Sequence, residues 1–187
     1  MHTFNPKDFQ KLITPERYNI INPVLALKDI GLKEGDCFLD FGCGPGFFTV
    51  PASQIVTKRG KVFALDIFEE MLQEVANANL SAPAELVKLY DSNIPLSDEI
   101  ANLVFLAFVL HEVTEKKEIV SELYRTTKVN GKIAIIEWNE TNTEKGPEVS
   151  ERVSSMETMN LLMQAGYKDI VHKDINSYHY LIQGTKR

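Results

Sequence analysis

Phe38-Leu39-Asp40-Phe41-Gly42-Cys43-Gly44-Pro45-Gly46-Phe47-Phe48-Thr49 is an apolar strand that ends in three alternating glycines and opens into a helix. Without Cβ atoms, Gly42, Gly44 and Gly46 can take positive φ and let main-chain amides come close to a bound molecule. The carboxyl end of a strand is where open α/β sheets bind their ligands. The stretch therefore predicts an α/β protein whose binding site starts at the end of its first core strand.

Apolar runs and amphipathic segments alternate outward from that turn, the pattern of βαβ units around a mainly parallel sheet. The first strand spans 37–41 and a helix is predicted over 46–57, although Pro51 is tolerable only in a first helical turn, which moves the start to Thr49. Lys58-Arg59-Gly60 turns the chain into a second strand, 61–66, and a helix over 68–79 carries Met71, Leu72, Val75 and Ala76 on one side. A third strand, 85–90, stops at Asp91, and 100–108 is apolar almost throughout, as a central strand shielded on both faces should be. Thr114 is the expected cap of the next helix, whose Ile119, Val120, Leu123, Tyr124 and Thr127 share a face before Asn130-Gly131 stops it. A fifth strand, 132–138, follows, then a polar loop over 139–152 and a capping box, Ser154-x-x-Glu157, that opens a helix ending near Gly166. The last two strands, 169–173 and 177–184, have no helix between them and must pair antiparallel. One domain, 1–187, is expected, with 1–23 as a lid-like segment bearing Phe4, Phe9, Leu12 and Tyr18, and 24–187 as the core.

Composition narrows the function. The 44% hydrophobic and 25% charged residues are those of an ordinary globular domain, which removes disordered and fibrous classes. No apolar run nears the ~20 residues of a membrane span, and the N-terminus lacks the basic head and apolar stretch of a secretory leader, so the expected location is cytoplasmic. With 20 Lys+Arg against 26 Asp+Glu the net charge is −6, which repels phosphate backbones and makes nucleic acid an unfavoured partner. The only cysteines, Cys37 and Cys43, flank one loop and can assemble neither a disulfide framework nor a thiolate metal site, so no metal is expected.

Spacing separates two ligand classes. A dinucleotide fingerprint needs glycine at its sixth position, where the helix must approach the pyrophosphate, and here that position is Phe47. An acidic residue followed by G-x-G-x-G after an apolar strand instead resembles the first motif of the class I S-adenosylmethionine-dependent methyltransferases. The resemblance extends through Ala64-Leu65-Asp66, Tyr90-Asp91-Ser92-Asn93-Ile94-Pro95, Val109-Leu110-His111-Glu112-Val113, Val129-Asn130-Gly131-Lys132 and Leu162-Met163-Gln164-Ala165-Gly166-Tyr167, from about Glu34 to the C-terminus. It is greatest to the small bacterial branch related to quinone and small-molecule methyltransferases. It implies a doubly wound, Rossmann-like sheet of seven strands in the order 3-2-1-4-5-7-6, with helices on both faces and an antiparallel C-terminal hairpin. Asn102 departs from the family pattern, which often has Asp at the start of strand four, in a position that supports structure.

The resemblance also implies a cofactor, S-adenosyl-L-methionine, with S-adenosyl-L-homocysteine as product. An ionised carboxylate at the end of strand two suits a ribose diol because both its oxygens accept, which assigns Asp66 to the ribose; Ile67 then packs on the adenine. Asp91 receives the adenine amino group and the Ser92 amide approaches a ring nitrogen. Asp40 faces the methionine end, where ammonium and sulfonium both favour a negative charge. Each aspartate also has a plainer reading, as a cap, a turn residue or a strand-end acid.

Methyl transfer is an in-line displacement, so the protein supplies mainly orientation and desolvation. Where the acceptor must lose a proton, His111 is the candidate base or acceptor-orienting group, with a histidine satisfied by the sheet edge or helix start as the plainer and favoured reading; Glu112 and Glu137 are weaker candidates, and Trp138 is expected to pack. The two cysteines disfavour an arsenic-methylating role. Two alternatives stay open at this point: a cofactor-holding module without turnover, and a nicotinamide-dependent oxidoreductase. With only residues 1–23 and 139–152 outside the core, a compact small-molecule acceptor is expected, and a homo-oligomer is one way to complete its pocket.

Overall fold

The computed structural model describes residue 9, residues 13–143 and residues 146–187. Its strands are Cys37–Phe41 (β1), Lys61–Asp66 (β2), Ala84–Lys88 (β3), Ala101–Ala107 (β4), Thr127–Trp138 (β5), Lys168–Asp174 (β6) and His179–Thr185 (β7). They form one sheet ordered β3-β2-β1-β4-β5-β7-β6. The first five strands of that row run parallel, and β7 pairs antiparallel with both β5 and β6. Order, direction of pairing and the C-terminal hairpin are those expected from the sequence.

The longest apolar segment became the central strand for the reason its composition suggests. Ala101, Leu103, Val104, Phe105 and Leu106 are all buried, with alternate residues in different core clusters. On one face Phe38, Val62 and Phe105 meet Leu27 of Pro23–Asp29 (α2) and Ala52 and Val56 of Thr49–Val56 (α3), while Ala64 meets Leu72 and Val75 of Glu69–Asn77 (α4). On the other, Leu39, Leu65 and Val104 meet Ile119, Val120 and Leu123 of Lys116–Thr126 (α5) and Leu161 and Leu162 of Ser155–Ala165 (α6). Ser154 caps α6 by accepting from the Glu157 amide at 3.1 Å, and α3 begins at Thr49, leaving Pro51 in its first turn.

Several local expectations are corrected. Ala76 is exposed rather than part of the buried face of α4. Glu115, not Thr114, takes the N-cap position of α5, and no side-chain cap bond is made there. Helix α5 ends at Thr126, so Thr127 lies in β5; Asn130-Gly131 does not stop the helix but sits inside a bulge of that strand, between the pairs Ala101↔Thr127 and Leu103↔Lys132. Asn130 holds φ 62° there while its amide donates to the Lys186 carbonyl, a contact from the far end of the chain that helix-stop rules cannot anticipate. The segment before the core holds two short helices, Pro15–Ile20 (α1) and α2. Phe4 and Leu12 of the expected lid lie outside the described residues.

Asn102 has the supporting role expected of it: its Oδ1 accepts from the Cys37 amide and the Lys128 ammonium, each at 2.9 Å, and so ties β4 to β1. Gly60 is a second such point, because a Cβ there would overlap the Asp36 carbonyl oxygen and lie 2.8 Å from Val56 Cβ. Gly60→Ala is therefore expected to cost about 1–3 kcal/mol through overpacking and to lower Tm by several degrees, since a domain of this size loses roughly 2–4 °C per kcal/mol. An unchanged thermal melt would contradict this.

Candidate functional site

Strand order changes direction between β1 and β4, and a cavity of about 620 Å³ opens at the carboxyl ends of β1, β2 and β4. That volume falls within the roughly 300–1,000 Å³ typical of small-molecule sites. The glycine turn forms its floor. The amides of Gly42 and Cys43 both donate to the Leu65 carbonyl, at 2.8 and 2.9 Å, which draws the turn onto the end of β2. Gly42, with φ +70°, passes so close beneath Val109 that any Cβ would overlap it. Gly42 and Gly44 line the cavity; Gly46, with φ +93°, does not, and packs against Val50 and Val75.

Asp66 ends β2 with its carboxylate built into this turn: Oδ2 accepts from the Gly44 amide and Oδ1 from the Phe68 amide, both at 2.9 Å. Burial raises its pKa, and the amides of Phe68, Gly44 and Ile67 and the charge of Lys88 oppose that rise. Each oxygen keeps further acceptor capacity beyond its one amide, and both Asp66 and the half-exposed Ile67 line the cavity. Asp91, beyond β3, is exposed and lines the same wall, with Oδ1 accepting from the Asn93 amide at 2.8 Å, while Ser92 Oγ donates to Glu115 Oε2.

Asp40 is almost fully buried, and its Oδ2 accepts from Thr49 Oγ1 at 2.6 Å. Burial pushes its carboxyl up to about 7; the Thr49 bond opposes the rise and the Asp66 charge adds to it. An unfolded aspartate titrates near ~4, so between that pH and about 7 the folded chain holds a proton that the unfolded chain has lost, and stability falls as pH rises through this window. Asp40→Asn should remove the fall. The Tm of the variant minus that of the parent is expected to be larger at about pH 7.5 than at about pH 4.5, and an equal gap at both would contradict it.

His111 does not line the cavity, although its neighbours Val109, Glu112 and Val113 do. Its ring turns to the end of β5, where Nδ1 lies 2.9 and 3.1 Å from the two carboxylate oxygens of Glu137. Glu137 is fully buried and also accepts from the amides of His111 and Trp138, each at 3.2 Å. Burial alone would lower the His111 pKa, but the Glu137 bond and charge, helped by Glu112 and Glu151, outweigh it and hold the value above that of a free imidazole. His111 Nε2 lies 3.9 Å from Glu112 Oε1. Trp138 packs, as expected, with its ring 4.4 Å from His179 and 5.5 Å from Phe108.

Sequence reasoning missed the aromatic end of the cavity. Phe47, Phe48 and Phe108 line it, with ring centroids 5.0 Å apart for Phe47 and Phe48, and Arg17 of α1 joins them. Phe47, the residue that stands where a dinucleotide turn needs glycine, is itself part of the cavity lining.

What sets this architecture apart from the dinucleotide-binding oxidoreductases is the reversed last hairpin, together with a phenylalanine where their turn needs glycine; both belong to the class I S-adenosylmethionine-dependent methyltransferases. Carboxylates around a largely apolar cavity also suit a cationic cofactor that carries a ribose diol. Comparison with known proteins is specific: the model of the ubiE/COQ5 methyltransferase family matches residues 16–187, and the chain belongs to that family. A crystal structure of an S-adenosylmethionine-dependent methyltransferase from Aquifex aeolicus superposes with a TM-score of 0.92 at 33% identity, over 99% of this chain and 100% of that one. Among curated proteins, the chain is 25% identical over 185 residues to the ubiquinone/menaquinone biosynthesis C-methyltransferase UbiE of a Marinomonas strain, covering 91% of this chain and 71% of the other. It is 28% identical, with the same coverages, to the UbiE of Pseudoalteromonas translucida. Other curated relatives are matched over 61% of their length. The protein is thus an S-adenosylmethionine-dependent methyltransferase acting on a small-molecule acceptor. No helix among the described residues is long and apolar enough to cross a membrane.

Proposed function

We propose that this enzyme methylates a ring carbon of a hydroxylated, quinol-type aromatic acceptor. The observation that carries the reading is that one cavity is lined both by Asp40, Asp66 and Asp91 and by the aromatic residues Phe47, Phe48 and Phe108. The names of the curated relatives, C-methyltransferases of quinone biosynthesis, support the same acceptor class.

When bound, S-adenosylmethionine supplies an electrophilic methyl group on a sulfonium that departs as a neutral thioether. Asp66 holds the ribose hydroxyls, Ile67 covers the adenine, Asp91 and the Ser92 amide take the adenine edge, and Asp40 lies toward the cationic methionine end. Gly42 and Gly44 let the backbone come close, and Gly46 packs the turn against α3 and α4. Phe47, Phe48 and Phe108 exclude water and orient a flat acceptor.

Overall, one proton leaves the acceptor for each methyl gained. Glu137 fixes Nδ1–H of His111, so the neutral ring keeps its lone pair on Nε2. That atom faces Glu112, whose side chain lines the cavity. The 3.9 Å between Nε2 and Glu112 Oε1 exceeds a direct hydrogen bond, so His111 receives the proton from Glu112 across one bridging water rather than by touching the acceptor. The experiment is a panel of reduced 1,4-naphthoquinone, a primary amine and a thiol, read as release of S-adenosylhomocysteine. The quinol alone is expected to drive release, and turnover on the amine or thiol with none on the quinol would reject the reading.

A further inference from the structure

Among the described residues that line the cavity, Arg17 is the one cation, in a wall that also holds Asp40, Asp66, Asp91, Glu112 and Glu115. It stands at the aromatic end. Its guanidinium carbon lies 4.7 Å from the ring centroid of Phe47 and 5.3 Å from that of Phe108. Thr14 starts the helix that presents it, accepting from the Arg17 amide at 3.4 Å, and Tyr18 on the next position packs its own ring 4.7 Å from Phe47. Burial, partly offset by Tyr18, brings the Arg17 pKa down to about 10, which marks the guanidinium as desolvated yet still protonated at neutral pH.

The ring below it is held at a cost. Phe108 has φ +61°, a left-handed conformation that a bulky residue adopts only when its surroundings enforce it, and one that collects at binding sites. Its amide donates to the Ile136 carbonyl at 2.9 Å, and Trp138 and His179 pack against the ring at 5.5 and 5.0 Å. Arg17 thus lines the cavity beside two aromatic rings, one of them on a backbone held in a left-handed conformation.

We propose that Arg17 is the specificity-determining residue for the acceptor, selecting a ring that carries an ionised oxygen, a phenolate or enolate, over a neutral ring of the same shape. The carboxylates suit the cationic cofactor; the planar, permanently charged guanidinium of Arg17 suits an anionic acceptor. An ionised oxygen also pushes electron density onto the adjacent ring carbon, the atom that must attack the methyl group. The inference rests on the aromatic-acceptor reading above.

The test compares two flat probes in the presence of S-adenosylhomocysteine: 2-hydroxy-1,4-naphthoquinone, a vinylogous acid ionised at neutral pH, and 1,4-naphthoquinone. Binding to the parent, Arg17→Lys and Arg17→Met is measured by calorimetry. The parent is expected to prefer the anion by about tenfold or more, Arg17→Lys to keep part of that preference, and Arg17→Met to lose it with neutral-probe and S-adenosylhomocysteine affinities within about twofold of the parent. Because the readout is a ratio between two probes, a purely structural role for Arg17 would leave it unchanged. An undiminished preference in Arg17→Met, or no preference in the parent, overturns the inference alone. Failure of both probes to bind the parent overturns the aromatic-acceptor reading and the inference with it.

Discussion

Asp66→Ala is expected to weaken binding of S-adenosylmethionine by a factor of a hundred or more. The carboxylate is assigned two ribose hydroxyls, and hydrogen bonds to a charged acceptor contribute about 1.5–3 kcal/mol each. Two of them correspond to roughly 10²–10⁴ in affinity. Alanine also releases the amides of Gly44 and Phe68, each held at 2.9 Å, so the glycine turn keeps only its Gly42 and Cys43 bonds to the Leu65 carbonyl at the end of β2. Asparagine is not a mild alternative. Both carboxylate oxygens already accept from backbone amides, and the NH₂ group of an asparagine would place a donor against one of them. Asp66→Asn should therefore fall close to Asp66→Ala. Calorimetry beside circular dichroism separates lost contacts from lost fold, and affinity within a few-fold of the parent in a folded variant would remove Asp66 from the ribose.

His111→Ala carries the second large effect, a fall in kcat of up to about 10², the low end of the range for a lost proton acceptor because His111 acts through Glu112 rather than on the acceptor itself. Cofactor affinity should stay within about twofold, because the imidazole does not line the cavity. In the parent, turnover should rise with pH through a His111 pKa that Glu137 holds above its ordinary value, since only the neutral ring accepts a proton. That limb should vanish in His111→Ala. In Glu137→Gln it should move to lower pH, because the neutral amide no longer favours the imidazolium. Stability follows the opposite sign: the His111–Glu137 pairing contributes fully below the unfolded histidine pKa and is lost as pH rises through the raised folded one. A pH profile of the same shape in His111→Ala and the parent would exclude the role. The Glu137→Gln shift guards against a His111→Ala variant that loses activity only because Glu137 is left buried without its partner.

Much of this fold is legible in the sequence because its signals are local. The glycine turn after an apolar strand, the unbroken apolar run of β4, the Ser154 cap and the missing helix between the last two strands each dictate an element from a few adjacent residues. Helices α1 and α2 had such signals too, since Thr14-Pro15 and Asn22-Pro23 each set a capping residue before a proline at the first helical position. With only 6 and 7 residues, they show too little periodicity to be noticed. The extended β5 was not legible, because Asn130 is held in its bulge by Lys186. The site divides the same way. Asp40, Asp66, Asp91 and the glycines follow from strand ends. The His111–Glu137 pair joins residues 26 apart across two strands, and Arg17 reaches Phe108 only through the tertiary fold.

Transfer of a methyl group to a ring carbon is the central claim, and isotopic labelling tests it most directly. Reduced 1,4-naphthoquinone incubated with S-adenosylmethionine bearing a trideuterated methyl should gain that group on carbon, seen by mass spectrometry and by loss of one ring proton signal in NMR. Label found only on oxygen, or an acceptor recovered unlabelled while S-adenosylmethionine binds normally, would contradict it.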